Sequence, residues 1–263
     1  MKSDFTKFAF AFPLIISTTN IFPVSIRVTD KSGKPLDLVM VSAKAERPHL
    51  ASKDDKGYPH PNKVEHITPD ITSFTNSNGT LNLAFPDSNR IVLRLRKIGY
   101  KDENTQAMST NASMNVKMEK VSDLNELVAQ YPSNSWVAAL DWGEDKNFRK
   151  VYMEQCGFCH QQGSFFMRRP FSESDWKDII NRMIGYGSRP TSKAQKKMPS
   201  ILSKSYKELL DHPEKVKPPR KWESENYGTI IREWPIGDTF SQMHDLLFHS
   251  NGKVYVGDNL QDR

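Results

Sequence analysis

The sequence predicts a multidomain α+β protein, and three observations carry that prediction. From Val24 to about Lys120 the apolar residues recur with a period of two. From Gly143 to about Asp211 they recur with a helical period. After Thr229 the period of two returns. The chain has 263 residues, enough for about two domains. Its two cysteines both lie in the helical stretch, in the run Cys156-Gly157-Phe158-Cys159-His160.

The N-terminus reads as a leader. Lys2 and Lys7 flank its start, Phe8 to Ile16 is a short apolar run, and Ser17, Thr18 and Thr19 follow. A secretory signal peptide over residues 1–20 is the expectation, with Asp4 and Pro13 as departures from the pattern. The run is too short to span a bilayer, and no other segment is long and apolar enough. The formal net charge is +6. That balance suits an acidic partner, although most such charges are solvated surface. No aromatic-basic motif or basic arm marks a nucleic-acid module.

Residues 21–120 read as a small β-sandwich. Val24, Ile26 and Val28 alternate, and Asp30-Lys31-Ser32-Gly33 makes a turn. Leu38 to Ala43 is a second strand. A loop rich in Pro, Lys and Asp runs from Arg47 to Pro69; the spacing of its His49, His60 and His66 fits no standard metal site. Ile71 to Thr75 leads to the hairpin signal Asn78-Gly79, and Leu81, Leu83 and Phe85 alternate beyond it. Ile91 to Leu95 and Asn115 to Glu119 complete the set. The order of cues resembles a carboxypeptidase regulatory-like domain, an immunoglobulin-like β-sandwich. The matching pieces are Asp30 to Leu36, Thr75 to Gly79 and Arg94 to Tyr100. The resemblance implies a structural or docking role, and no carboxypeptidase zinc motif accompanies it.

Residues 121–142 form a connector with helical segments. Asp123 and Glu126 cap a turn, Tyr131-Pro132 breaks it, and Trp136 and Trp142 are expected to be buried. Phe148, Val151, Tyr152 and Gln155 then fall at i, i+3, i+4 and i+7, which puts the cysteine run at the C-terminal end of a helix. Ser172 with Asp175 reads as an N-cap with an acidic first turn. Trp176, Ile179, Ile180 and Met183 make one apolar stripe, ended by Gly185 and Gly187. Met198-Pro199 reads as a loop before a last helix, Ser200 to Leu210.

C-x-x-C-H is the attachment pattern of a c-type haem. Two thiols at this spacing can each add to a vinyl group, and the following histidine can bind iron from one side. Three other readings compete. A thioredoxin-like couple follows a strand and opens a helix, whereas this motif closes one. A zinc site needs about four ligands, and His49, His60, His66, His212, His244 and His249 offer no second cluster near the motif. The third is a chance match. Residues 143–211 resemble the cytochrome c superfamily in this motif, and the Trp176 to Met183 helix resembles small monohaem cytochromes attached to periplasmic oxidoreductases. The resemblance implies one covalently attached haem c on Cys156 and Cys159, with His160 as proximal iron ligand. It makes Met183 the first candidate for the distal ligand and Met198 the alternative. Met167 reads as packing against the haem ring. Arg168, Arg169 and Arg182 are either partners of haem propionates or solvated surface.

Residues 212–228 are Pro- and Lys-rich and read as a linker. Residues 229–263 hold a strand, Thr229 to Trp234, and a hairpin signalled by Asn251-Gly252. The phrase from His244 to Val256 resembles a streptogramin lyase-like β-propeller repeat. A propeller needs several blades, and only about one occurs, so a lyase site is not expected, and His244 and His249 read as surface or turn residues. The chain reads as a fragment of a longer protein, or else its hairpin is a tail packed on the helical domain.

The functional expectation is an exported, periplasmic electron carrier that is not a self-contained enzyme. Its partner would be a redox protein or a quinoprotein-like propeller domain. A non-redox extracellular scaffold binding glycan or peptide, with a structural haem, is the alternative. Peroxidase-like chemistry at an open iron is a third reading.

Overall fold

The computed structural model describes residues 21–45, 69–86, 90–108, 113–221, 223–234 and 243–258. The expected signal segment and His49, His60 and His66 lie outside the described residues. The described chain is a mixed α and β structure.

Its N-terminal part is two sheets over one core. Strands β1 (Ile21–Asp30), β4 (Thr80–Pro86) and β7 (Ser113–Met118) form one sheet in the order β4-β1-β7. Strands β2 (Met40–Ala45), β3 (Asp70–Phe74), β5 (Arg90–Arg96), β6 (Glu103–Met108) and β8 (Ile231–Glu233) form the other, in the order β6-β5-β2-β3-β8. The period of two does what it predicts. Val24, Ile26, Val28 and Leu83 of one sheet meet Val41, Ile71, Leu93 and Leu95 of the other in one buried cluster. β6 escaped the sequence reading because Glu103 to Met108 shows no apolar alternation. It is an edge strand, paired only to β5.

Two turns are built the same way. The Asp30 carboxylate accepts from the Ser32 and Lys34 backbone N–H groups, each at 2.9 Å. The Asn76 amide oxygen accepts from those of Asn78 (3.0 Å) and Thr80 (3.1 Å). Such side-chain bonds stand in for backbone pairs where the chain reverses. Deeper in, the buried Thr75 hydroxyl accepts from Val39 N–H at 2.9 Å and donates to the Leu36 carbonyl at 2.7 Å.

The helical part comprises α1 (Leu124–Ala129), α2 (Ser133–Ala139), α3 (Asn147–Gln155), α4 (Glu173–Gly185) and α5 (Ser192–Asp211). One cluster joins Val128, Trp136, Trp142, Tyr152, Trp176, Met198 and Tyr206. The expected connector is therefore part of this core. Asp123 caps α1 as read, accepting from Glu126 N–H at 2.8 Å. Gln130 clips the two parts together: Gly99 N–H donates to its Oε1 and its Nε2 donates to the Tyr100 carbonyl, both at 2.8 Å.

Two expectations for the C-terminal residues differ from what is seen. The strand expected beside the hairpin pairs instead with β3, at Asp70↔Glu233, Ile71↔Arg232 and Thr72↔Ile231. The open edge of β3 offers unpaired backbone groups, and Ser73 Oγ donates to the Thr229 carbonyl at 2.8 Å to draw the strand in. The hairpin does form, from β9 (Met243–Phe248) and β10 (Val254–Asp258), and His249 sits at its turn as read. Its Leu246, Leu247, Phe248 and Tyr255 are exposed, so these side chains are not packed on the helical core. His244 is outside the described side chains. No described helix is long and apolar enough to cross a membrane.

Replacing Thr75 by the isosteric Val strands a buried N–H and a buried carbonyl. The expected loss is about 1–3 kcal/mol, read as a lower urea midpoint with unchanged slope.

Candidate functional site

α3 ends where its pattern says it should. Phe148 and Tyr152 are buried, and Cys156 is the C-cap, its N–H donating to the Tyr152 carbonyl at 2.9 Å. The next turn is held from inside by Gln162, which is 5% exposed. Its Nε2 donates to the Cys156 carbonyl at 2.5 Å and to the His160 carbonyl at 3.2 Å, and lies 3.3 Å from His160 Nδ1. His160 Nδ1 is also 3.4 Å from the Gln161 carbonyl. Gly163 has φ +71°, and a Cβ there would lie 2.5 Å from the Ser133 carbonyl oxygen. Only glycine lets this loop lie so close to α2.

Arg168 then ties the loop to the connector. Its guanidinium donates to the carbonyls of Gly163, Ala129 and Tyr131, each at 2.9 Å, and lies 4.8 Å from the Trp136 ring centre. Arg168 is therefore not simply solvated surface, because three of its donors are turned to backbone carbonyls. Those carbonyls end α1 and the loop and lack ladder partners, which a five-donor fork can satisfy together. Arg169 lies 5.9 Å from the Phe166 ring, and Arg182 is exposed. Met167 packs against the helical core.

α4 supplies the other side. Its capping box is formed reciprocally by Ser172 and Asp175, and Trp176 and Ile180 are buried. Trp176 stacks on Tyr206 at 5.5 Å. The helix closes with Gly187 N–H on the Ile184 carbonyl and Ser188 N–H on the Met183 carbonyl, both at 3.0 Å, with Gly187 at φ +108°. Ser188 Oγ then donates to the Gln155 carbonyl at 3.2 Å, and Arg189 N–H to Gln155 Oε1 at 2.8 Å. These bonds bring the Met183 end of α4 against the residue preceding Cys156. Met183 itself is half-buried.

Met198 is placed differently from its expectation. It lies inside α5, not in a loop, and is 1% exposed in the helical core. The helix starts at Ser192, capped by Thr191, and continues through Pro199. A mid-helix proline removes one N–H bond. The apolar face of Met198, Leu202, Tyr206 and Leu209 buries enough surface to carry the helix past it.

Both thiols are free, Cys156 half-buried and Cys159 exposed. Burial, together with the adjacent Cys159, pushes the Cys156 thiol up to about 11. The C-terminal end of a helix also opposes a thiolate. Both effects run against a low-pKa redox couple. Among the described residues no group of three or more His, Cys, Asp or Glu could hold a metal ion. His160 is exposed, and Phe158, Phe165, Phe166 and Tyr186 of the helical part are each more than 70% exposed. Gln162 and Arg168 organise the turn, and nothing in their spacing announced it.

No family model matches the chain, and no curated protein matches it. Among solved structures it is similar to 3-chlorocatechol 1,2-dioxygenase from Rhodococcus opacus 1CP, at 13% identity and a TM-score of 0.30, over 40% of this chain and 61% of that one. It is also similar to the pilus 2b backbone protein of group B streptococcus, at 14% identity and a TM-score of 0.28, over 40% of this chain and 43% of that one. The match thus spans less than two thirds of either protein, and likeness at this level carries no argument about activity.

In the chain without any attached group, Cys159 should alkylate at least about tenfold faster than Cys156 near neutral pH, because Cys159 is exposed while burial raises the Cys156 thiol and shields it. Peptide mapping after brief treatment with iodoacetamide checks this; equal rates would contradict the burial of Cys156.

Proposed function

We propose that the helical part is a monohaem c-type cytochrome domain, that Cys156 and Cys159 anchor one haem c by thioethers, and that His160 is the proximal ligand. The observation that carries this reading is the exposure of the motif itself. Cys159 and His160 are exposed with Phe158 between the two free thiols in sequence, and Phe165, Phe166 and Tyr186 of the same helical part also stand in solvent. Large apolar side chains left in solvent are candidates for a ligand or partner surface. A flat apolar macrocycle with vinyl groups is the chemistry that thiols, imidazole and aromatic rings would jointly receive.

In this reading the chain's residues divide the work. The turn held by Gln162 would carry both thiols and the imidazole to the haem. Met183 is the distal ligand, because α4 ends beside the motif while Met198 belongs to the core. Phe158, Phe165, Phe166 and Tyr186 would exclude water. When bound, the haem supplies a one-electron couple whose potential depends on ligand, burial and hydrogen bonding. The protein is then an exported, periplasmic electron carrier. Its sandwich would be an immunoglobulin-like, carboxypeptidase regulatory-like docking module. β9 and β10 would belong to a partial propeller blade, and the redox partner would be a separate protein or a quinoprotein-like propeller domain.

The test is the full chain made with haem-maturation machinery. A sharp reduced α-band that survives acid-acetone extraction is expected, and it should be lost in the C156A/C159A double variant. Colourless protein would sink the reading. Met183→Ala should abolish the methionine-to-iron charge-transfer band. Met198→Ala should keep the band and cost about 2–5 kcal/mol of stability as a core cavity. Loss of the band only in M198A would reverse the ligand assignment.

A further inference from the structure

We propose that the groove between the α2–α3 connection and one face of α3 binds a small phosphate monoester with a flat apolar body. The proposal stands apart from the haem reading, since Cys156, Cys159, His160 and Met183 are not among the residues that line the groove.

The groove follows from spacing on α3. Phe148 and Tyr152 are buried in the helical core. Lys146, Arg149, Lys150 and Met153, at i, i+3, i+4 and i+7, share another face and line the groove. The opposite wall is the connection from Leu140 to Gly143. That wall is fixed in advance. Asp141 N–H donates to Ser205 Oγ of α5 at 2.6 Å, and Gly143 N–H donates to Asp141 Oδ1 at 2.9 Å. Trp142 lies 5.0 Å from Tyr152, ring centre to ring centre. The space between the walls is about 620 Å³, within the range of roughly 300–1,000 Å³ usual for small-molecule sites.

The lining selects the ligand. Its apolar part is Leu140 and Trp142, both anchored in the core, and Met153, which is 42% exposed. A thioether beside an indole accommodates flat rings of varied outline. The charged part is Lys146, Arg149 and Lys150 against Asp141 and Glu154. Glu154 lies 3.7 Å from Lys150, and Asp141 turns one oxygen to Gly143. Lys146 and Arg149 have no ion-pair partner among the described residues. An ammonium and a guanidinium fork match the nearly double charge and three oxygens of a phosphate monoester. Inorganic phosphate would leave the apolar lining in water, and a cationic ring would meet like charge.

The test titrates the full chain with phenyl phosphate, following the Trp142 indole N–H and the Met153 methyl group by NMR. Both signals should shift and saturate. Inorganic phosphate and benzylamine should each bind at least about tenfold more weakly, a factor that reads directly as a ratio of dissociation constants. The K146Q/R149Q variant should lose at least about tenfold in affinity for phenyl phosphate, the order expected for removing charge-assisted bonds. K196Q/K197Q removes the same charge from exposed positions of α5 outside the groove and should bind as wild type does. Trp142 and Met153 signals that stay in place at saturating probe would overturn the proposal. So would benzylamine or inorganic phosphate binding as tightly as phenyl phosphate, or equal losses in the two double variants. The comparison of probes on the wild-type chain decides the matter even where a variant does not fold.

Discussion

The turn after α3 has to solve a polar problem, and the rest of the helical part is arranged around its solution. A helix C-terminus leaves carbonyls unsatisfied, and this one is followed at once by two thiols and an imidazole, Cys156 half-buried and Cys159 and His160 exposed. The Gln162 amide takes the carbonyls of Cys156 and His160 from within. Ser188 takes that of Gln155, and Arg189 N–H takes the Gln155 side chain. Arg168 satisfies the carbonyls of Gly163 and of Ala129 and Tyr131 at the end of α1. Each bond fixes backbone at one place and leaves the reactive side chains free.

Behind the turn stands an aromatic core. Trp142 lies 5.0 Å from Tyr152, and Trp176 lies 5.5 Å from Tyr206 and 5.6 Å from Phe171. Burial drives the phenol of Tyr152 well above the usual tyrosine range and raises that of Tyr206, so they stay neutral. These rings supply large buried area and rigid shape, worth about 0.5–1.5 kcal/mol per pair beyond burial itself. The contrast with the front is sharp. Aromatic side chains behind the motif are buried and those beside it are exposed, and this asymmetry is the basis for proposing that a flat apolar group covers them.

The sandwich and the helices are joined twice. Gln130 bridges from the end of α1 to Gly99 and Tyr100. The chain then leaves α5 and returns to the five-stranded sheet as β8 on the edge of β3. The return covers an edge that would otherwise expose a row of backbone donors and acceptors. Tyr227 adds a hydrogen bond to Asp37 at 3.4 Å on the way. A segment that reads as a Pro- and Lys-rich spacer thus ends by pairing with the N-terminal sheet.

Local pattern was enough for much of this protein. Alternation marked β1 to β5 and β7, Asx residues marked the turns, and the i, i+3, i+4, i+7 stripes marked α3 and α4 with the cap at Ser172. The Cys156–His160 run was legible because its chemistry depends on spacing along the chain. What the sequence could not determine depends on partners far away in it. β6 has no apolar face to reveal it, and β8 is a strand only because β3 leaves an edge open. Met198 looks like a loop ligand beside a proline, and it is a core residue because α5 buries that face strongly enough to run through Pro199. Gln162 is an ordinary glutamine until the fold turns the carbonyls of Cys156 and His160 onto its amide. Covalent spacing is written in order along the chain, whereas burial and hydrogen-bond satisfaction exist only once distant segments have met.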